Sequence, residues 1–268
     1  MRVSLSWLKQ LVQVTDSVEA LAHRLSMAGF EEEEIEDLSA RAKGVVVGFV
    51  KEREKHPNAD KLSVCQVDVG SEEPIQIVCG ATNVRAGLHV PVAMVGAELP
   101  AVNLTIKAGE LRGVSSNGMI CSLSELGLAT ESDGIAELDA LTDELPALGA
   151  PVAPMLGLDD TVLELAITAN RPDGLSMVGI AREVAALTGA ALTLPDLTLK
   201  PAHELLQVSE ASAEAMQAGG LYGITLIEGV DGSRVSPTWV QQRLERAGIN
   251  CVNAVVDITN VVMLEQGQ

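Results

Sequence analysis

Hydrophobic positions along the chain change their period three times. Over the first 30 residues they recur at helical spacing: Trp7, Leu8, Leu11 and Val12 share one face, and Val18, Leu21, Ala22 and Leu25 repeat the interval after Asp16 and Ser17, either able to cap a helix. Gly29 is placed to stop the second helix. An acidic run at 31–34 follows, a composition that ordinarily forms a solvated edge. From Gly44 to Cys121 the texture turns to short β-branched stretches divided by Gly and Pro: GVVVGFV, SVCQVDV, IQIVC, HVPVAMV, NLTI and GMIC. Strands this short and this evenly spaced predict a small closed or partly closed barrel of the OB type. The stretch TDELPALGAPVAP reads as the exit from it.

After the barrel, VLELAIT predicts a strand and 175–188 a helix with Met177, Ile180, Val184 and Leu187 inward, Asp173 or Ser176 at its start and Gly189 at its end. One such helix cannot bury a core, nor can the two at the start. They are expected to pack together, with the barrel inserted between them. From about Pro201 a third unit begins, with a strand at 222–228 and a helix that has Ser236 as cap, Pro237 in the first turn, Val240, Leu244 and Ala247 inward, and Gly248 as stop. That unit runs out without closure, which suggests a truncated domain. The pattern as a whole predicts an α+β multidomain chain.

Composition narrows the function. At 268 residues and 47% hydrophobic content, there is material for two domains or three small ones. No apolar run reaches the ~18 to 20 residues of a bilayer span, and MRVSLSWLKQLVQV is broken at Lys9 and Gln10 with no export cleavage site, so the expected location is the cytoplasm and no membrane partner is expected. Cys65, Cys79, Cys121 and Cys251 lie without a CxxC pair and read as buried small hydrophobes, not a disulfide framework or a metal knuckle. A net charge of −19 opposes whole-surface binding of DNA or RNA. The distribution softens that objection: residues 39–112 carry 9 basic and 8 acidic side chains, against 3 and 8 in 1–38 and 6 and 21 in 113–268. Of the five aromatics, Trp7, Phe30, Phe49, Tyr222 and Trp239, only Phe49 falls in the barrel region, so recognition by base stacking is not expected there.

Several segments resemble the beta subunit of bacterial phenylalanine–tRNA ligases: SLSWLKQLV, LSMAGFEEEEIE, HPNADKLSVCQVDVG, IVCGATNVRAG, IKAGELRGVSSNGMICSLSELGL, TANRPDGLSMVGIAREVAALTG and RLERAGINCVNAVVDITNVVMLEQGQ. They lie in the family's order from end to end. The barrel motifs alone also occur in free-standing OB-fold tRNA-binding proteins and RNA chaperones, the alternative reading. TANRPDGLSMVGIAREVAAL and VVDITN count against it. The resemblance implies a helical domain from 1–38 and 151–198, an OB-fold tRNA-binding domain at 39–150, and the start of an editing domain of the B3/B4 type at 199–268. It implies a place in an α2β2 enzyme that joins phenylalanine to its tRNA with ATP and Mg2+, the catalytic core lying in the alpha subunit. No catalytic residue, metal site or bound cofactor is expected in this chain, and partners would be the alpha subunit and the tRNA, with no role for DNA.

Within that frame, Thr259 and Asn260 match a Thr-Asn pair lining the family's editing pocket, with Val261 standing where the family commonly has tyrosine. The competing reading is that both bond to neighbouring backbone in a helix. Candidates for RNA contact are Arg53, Lys55, Lys61, Arg85, Lys107 and Arg112, long cations in or beside barrel loops that can reach phosphates without reading bases. His56 precedes Pro57 in a turn-like stretch and is expected to serve the loop, not acid–base chemistry. Asn83 with Arg85, and Ser115, Ser116 and Asn117, read as loop-forming polar groups. GGLYG at 219–223 lacks the strand-then-helix setting of a nucleotide loop and is expected to be a backbone turn.

Overall fold

The computed structural model describes residues 1–142, 144–196, 214, 217 and 227–267, and the chain divides into two compact units. Residues 2–6 and 32–166 make a barrel unit; 1, 7–31 and 167–268 make a helical unit. In chain order, the described residues form β1 (Arg2–Ser4), α1 (Leu5–Leu11), α2 (Val18–Met27), β2 (Phe30–Asp37), β3 (Val45–Lys55), β4 (Ser63–Asp68), β5 (Ile75–Cys79) and β6 (His89–Met94). The short strands β7 (Glu98–Leu99), β8 (Leu104–Thr105), β9 (Gly109–Leu111), β10 (Val114–Ser116) and β11 (Gly118–Ile120) come next. Then follow β12 (Thr161–Ile167), α3 (Met177–Thr188), α4 (Thr238–Arg246) and α5 (Ala254–Gln266).

The barrel is a five-stranded antiparallel sheet in the order β11-β6-β3-β4-β5. Alternation in β4 shows why it forms: Ser63, Cys65 and Val67 are buried while Val64, Gln66 and Asp68 are partly exposed. Its edges meet where the Asn117 N–H donates to the Gln76 carbonyl at 2.8 Å and the Val78 N–H to Ser116 Oγ at 3.0 Å, so the sheet is nearly closed. Inside it sit Val50, Cys65, Val67, Ile77, Val90, Val92 and Ile120. Gly48 permits this curvature, because a Cβ there would lie 2.5 Å from Val92 Cγ2 and 3.0 Å from Val67 Cγ1. Val45, Val47 and Ala93 instead join a second core with Leu38, Leu99, Leu126, Leu138 and Val162.

A separate three-stranded sheet sets β12 between β1 and β2. The acidic run at 31–34 is therefore an edge strand, with Glu31, Glu33 and Glu34 exposed. Further along β2, Glu36 takes Arg2 and Arg41 at 2.5 Å each. Partial burial opposes its charge, but the two guanidinium groups prevail and hold its carboxyl below the usual range. The strand expected to end at Val50 continues through a bulge to Lys55, because a two-stranded ribbon with β4 satisfies the backbone without buried side chains.

In the helical unit, Trp7, Leu8 and Leu11 of α1, Leu21, Ala22 and Leu25 of α2, and Met177, Ile180 and Val184 of α3 are buried. Ser17 Oγ accepts from the Ala20 N–H, Ser176 Oγ from the Gly179 N–H, and Gly189 closes α3 in the left-handed region. Within TANRPDGL, the Arg171 guanidinium lies 4.2 Å over the Phe30 ring and donates to the Ala28 carbonyl, Asp173 and Glu183.

Three expectations need correction. Ser236 does not cap α4, which starts from Pro237 without a side-chain bond. It is buried and donates to Asp257 Oδ2 at 2.5 Å, a charge-assisted bond that outcompetes capping. Cys251 is exposed, unlike the other three cysteines, because it lies in a connection between helices where no strand or helix face covers it. Ile227 and Glu228 carry no strand. The rest of the expected strand and the GGLYG segment lie outside the described residues.

Candidate nucleic-acid interface

The HPNADKL segment forms the connection from β3 to β4, and His56 organises it. The residue is 2% exposed; Nδ1 accepts from the Asn58 N–H at 3.0 Å, which leaves Nε2 as the donor to the Leu111 carbonyl, also at 3.0 Å. Asn58 Nδ2 donates to the Arg112 carbonyl at 2.9 Å. The Nε2 and Asn58 Nδ2 bonds fasten the β9–β10 hairpin to the loop, while the Nδ1 bond holds the loop itself, so both imidazole nitrogens are engaged. On the hairpin's other strand, Gln76 Nε2 donates to the Ser115 carbonyl and to Ser115 Oγ. Polar residues of HPNADKL and RGVSSNG thus serve one junction, with Arg112 at the hairpin turn in the left-handed region (φ +52°).

Around this junction the six candidate cations separate into two groups. Arg53 Nε donates to Ser63 Oγ at 2.9 Å, Lys55 pairs with Asp60 at 2.8 Å, and Arg85 grips both Glu137 oxygens at 2.9 and 2.8 Å. The Arg85 guanidinium holds the Glu137 carboxyl below its usual range, and its own pKa rises. Lys61, Lys107 and Arg112 are exposed and have no ion-pair partner among the described residues. Lys55, Lys61 and Arg112 come to the same end of the barrel through the His56 and Asn58 bonds, and Lys107 leads into β9. Arg85 stands elsewhere, on the loop that Asn83 ties to Ile135 through both its amide atoms.

Beside the hairpin opens a groove of about 750 Å³, bounded by β5, the β8 to β11 segment and the loop 122–135, with Lys107 and Glu125 in its lining. Sequence reasoning did not single out Glu125. The signal was present in SLSELGL: Ser122 and Glu125 make a reciprocal capping box, the Glu125 N–H donating to Ser122 Oγ at 3.2 Å and the Ser122 N–H to Glu125 Oε2 at 2.6 Å. The buried thiols offer no nucleophile nearby, since burial pushes Cys65 up to about 11 and Cys121 up to about 12.

Thr259 and Asn260 lie together on α5. The Thr259 hydroxyl donates to the Val256 carbonyl at 2.6 Å within the helix, Asn260 is half-buried, and Val261 is turned inward. Among the described residues no three His, Cys, Asp or Glu side chains gather to hold a metal, and no helix is long and apolar enough to cross a membrane.

The family described as "Putative tRNA binding domain" matches residues 45–144, the stretch that holds the barrel and its hairpins, and the B3/4 domain family matches 218–268. The barrel is a tRNA-binding domain with an OB-like fold, joined in one chain to B3/4 sequence. Over all 268 residues the chain is 96% identical to a phenylalanine–tRNA ligase beta subunit of Parasynechococcus marenigrum, 74% to that of Synechococcus sp. (strain CC9605) and 56%, over 272 aligned positions, to that of Trichormus variabilis. It belongs to the phenylalanine–tRNA ligase beta-subunit family and spans about a third of the length of these relatives. Full-length similarity favours this reading over a free-standing tRNA-binding protein or RNA chaperone.

Proposed function

We propose that the barrel unit contacts the tRNA for phenylalanine through phosphates at the hairpin junction, as one segment of a cytoplasmic phenylalanine–tRNA ligase. The observation that carries this reading is the separation of the cations. Lys61, Lys107 and Arg112 stand exposed without an acidic partner among the described residues, beside a loop and hairpin locked together by His56 and Asn58. Such long cations on a rigid edge can meet phosphates without the cost of breaking an existing pair. Arg53, Lys55 and Arg85 are the lesser contributors, since each already has a partner.

The division proposed is a helical domain at 1–38 and 151–198, the tRNA-binding barrel at 39–150, and editing-domain sequence at 199–268. Activation of phenylalanine with ATP and Mg2+ is assigned to the alpha subunit of an α2β2 enzyme, as the similarity to phenylalanine–tRNA ligase beta subunits implies. Thr259 and Asn260 are proposed to line part of an editing pocket, Asn260 being the more available because the Thr259 hydroxyl is engaged within its helix.

The test is binding of tRNA for phenylalanine to this chain across a salt series, for the wild type and a Lys61→Glu/Arg112→Glu pair. Wild-type affinity should fall as salt rises, and the double variant should bind more weakly with a slope shallower by about two, one for each lost phosphate contact. Absence of binding at low salt, or a variant indistinguishable from wild type, would overturn the reading.

A further inference from the structure

The groove beside the hairpin carries more chemistry than phosphate contact requires. Val78, Ile106 and Met119 give it apolar walls, Lys107 stands in its lining, and Glu125 with Ser122 supplies a polar side. No aromatic ring lines it. Glu125 is held in a fixed pose: Oε2 accepts the Ser122 N–H at 2.6 Å and the Ser122 hydroxyl at 2.8 Å. Oε1 has no hydrogen-bond partner among the described residues, and the residue is half-buried. A preorganised acceptor beside apolar walls, with an exposed cation in the same lining, is complementary to a flat, weakly polar ring that carries an N–H donor and an attached phosphate.

Resting on the reading of the barrel as a tRNA contact, we propose that this groove takes one unpaired base of the RNA and that Glu125 Oε1 accepts a hydrogen bond from its exocyclic amine. The volume admits a nucleotide with room for its neighbour's sugar and phosphate, which Lys107 would meet. Cytosine places an amine where uracil has a carbonyl, so the two pyrimidines differ in the group offered to the carboxylate. Uracil would bring an acceptor against an acceptor. A site built to accept from a donor discriminates strongly against a ligand that lacks it, because the carboxylate oxygen is then left facing the ligand unpaired. Glu125 is thereby a specificity-determining residue, while Lys61 and Arg112 add affinity without choosing a base.

The experiment compares binding of single-stranded 12-nucleotide oligo(C) and oligo(U) to the full chain, alongside the tRNA itself, for wild type and Glu125→Gln. The glutamine is nearly isosteric, and the Ser122 N–H requires its amide oxygen at the Oε2 position, so its NH2 group falls where Oε1 was. Wild type should prefer oligo(C) by about tenfold, and Glu125→Gln should lose that preference or favour oligo(U), with an unchanged circular dichroism spectrum. Equal wild-type affinities for the two oligomers, or a Glu125→Gln variant with the wild-type preference, would overturn the base pocket. If tRNA still binds with the expected salt dependence in that case, the phosphate reading stands and this inference alone falls. If neither tRNA nor any oligomer binds, both fall together.

Discussion

Asp160 is the buried strut of the barrel unit, and its removal should cost more than any single surface contact. It precedes β12 and is 6% exposed. Oδ1 accepts the Ser6 N–H at 2.8 Å and the Thr161 N–H at 2.9 Å; Oδ2 accepts the hydroxyls of Ser4 at 2.5 Å and Ser6 at 2.8 Å. In Asp160→Ala the two hydroxyls, 3.1 Å apart, can bond each other, and Thr161 loses only a local contact. The Ser6 N–H loses its carboxylate acceptor. With hydrogen bonds to a charged group contributing ~1.5–3 kcal/mol each and not adding fully, the loss should be about 3 kcal/mol. Asp160→Asn keeps an oxygen on both N–H groups and turns an NH2 toward hydroxyls that can rotate to accept, so it should cost about 1 kcal/mol. Both tryptophans, Trp7 and Trp239, lie in the helical unit, so their fluorescence is the wrong probe. Hydrogen exchange on peptides from β6 and β12 reads the barrel unit directly. Amides that exchange through its opening should speed up about 100-fold in the alanine variant and about fivefold in the asparagine variant. Equal effects of the two substitutions, or an alanine effect below about threefold, would refute the strut.

Three further outcomes follow from particular contacts. Gly48→Ala forces a methyl group between Val92 and Val67 and should destabilise the barrel by about 1–3 kcal/mol, measurable as an earlier urea midpoint by far-ultraviolet circular dichroism. Asp257 is held below the usual carboxyl range by the Ser236 hydroxyl and then by the Val252 N–H. Its stabilisation is therefore complete above the unfolded-state value of ~3.9 and lost as pH falls through its lower folded value, so Asp257→Asn should flatten the acid limb of a Trp239 fluorescence titration. Iodoacetamide at pH 8 should label exposed Cys251 first, with Cys65, Cys79 and Cys121 reacting only after unfolding; mass spectrometry that found a barrel cysteine labelled first would contradict their burial.

What could be read from the sequence follows how local each feature's cause is. Strands and helices with a clear period were legible because one face packs on a core: Ser63, Cys65 and Val67 in β4, and Met177, Ile180 and Val184 in α3. Caps made by neighbours in sequence, Ser17 and Ser176, were legible for the same reason. Features settled by distant partners were not. Ser236 looks like a helix cap until Asp257, 21 residues on, claims its hydroxyl. The charged KEREK stretch has no strand pattern, yet its backbone pairs with β4. The six cations were found by type and loop position, but which of them stay free depends on Asp60, Ser63 and Glu137, and for Glu137 the separation from Arg85 is 52 residues.

On the proposed reading, that sorting of cations also bounds how RNA can be held. A chain of net charge −19 gains no general attraction for nucleic acid, and with half of the candidate cations engaged internally three of them are left without an ion-pair partner among the described residues. At ~0.7–0.9 of a counterion released per phosphate contact, three contacts give a logarithmic salt slope of only about −2 to −3. Binding this weakly electrostatic cannot by itself select one tRNA from others, since phosphates are common to all of them. Selection must then come from shape, from contacts elsewhere in the longer relatives' assemblies, or from a base read in the groove. The hairpin's attachment through His56 and Asn58 favours a contribution here, because a rigid edge discriminates shapes that a flexible loop would accommodate.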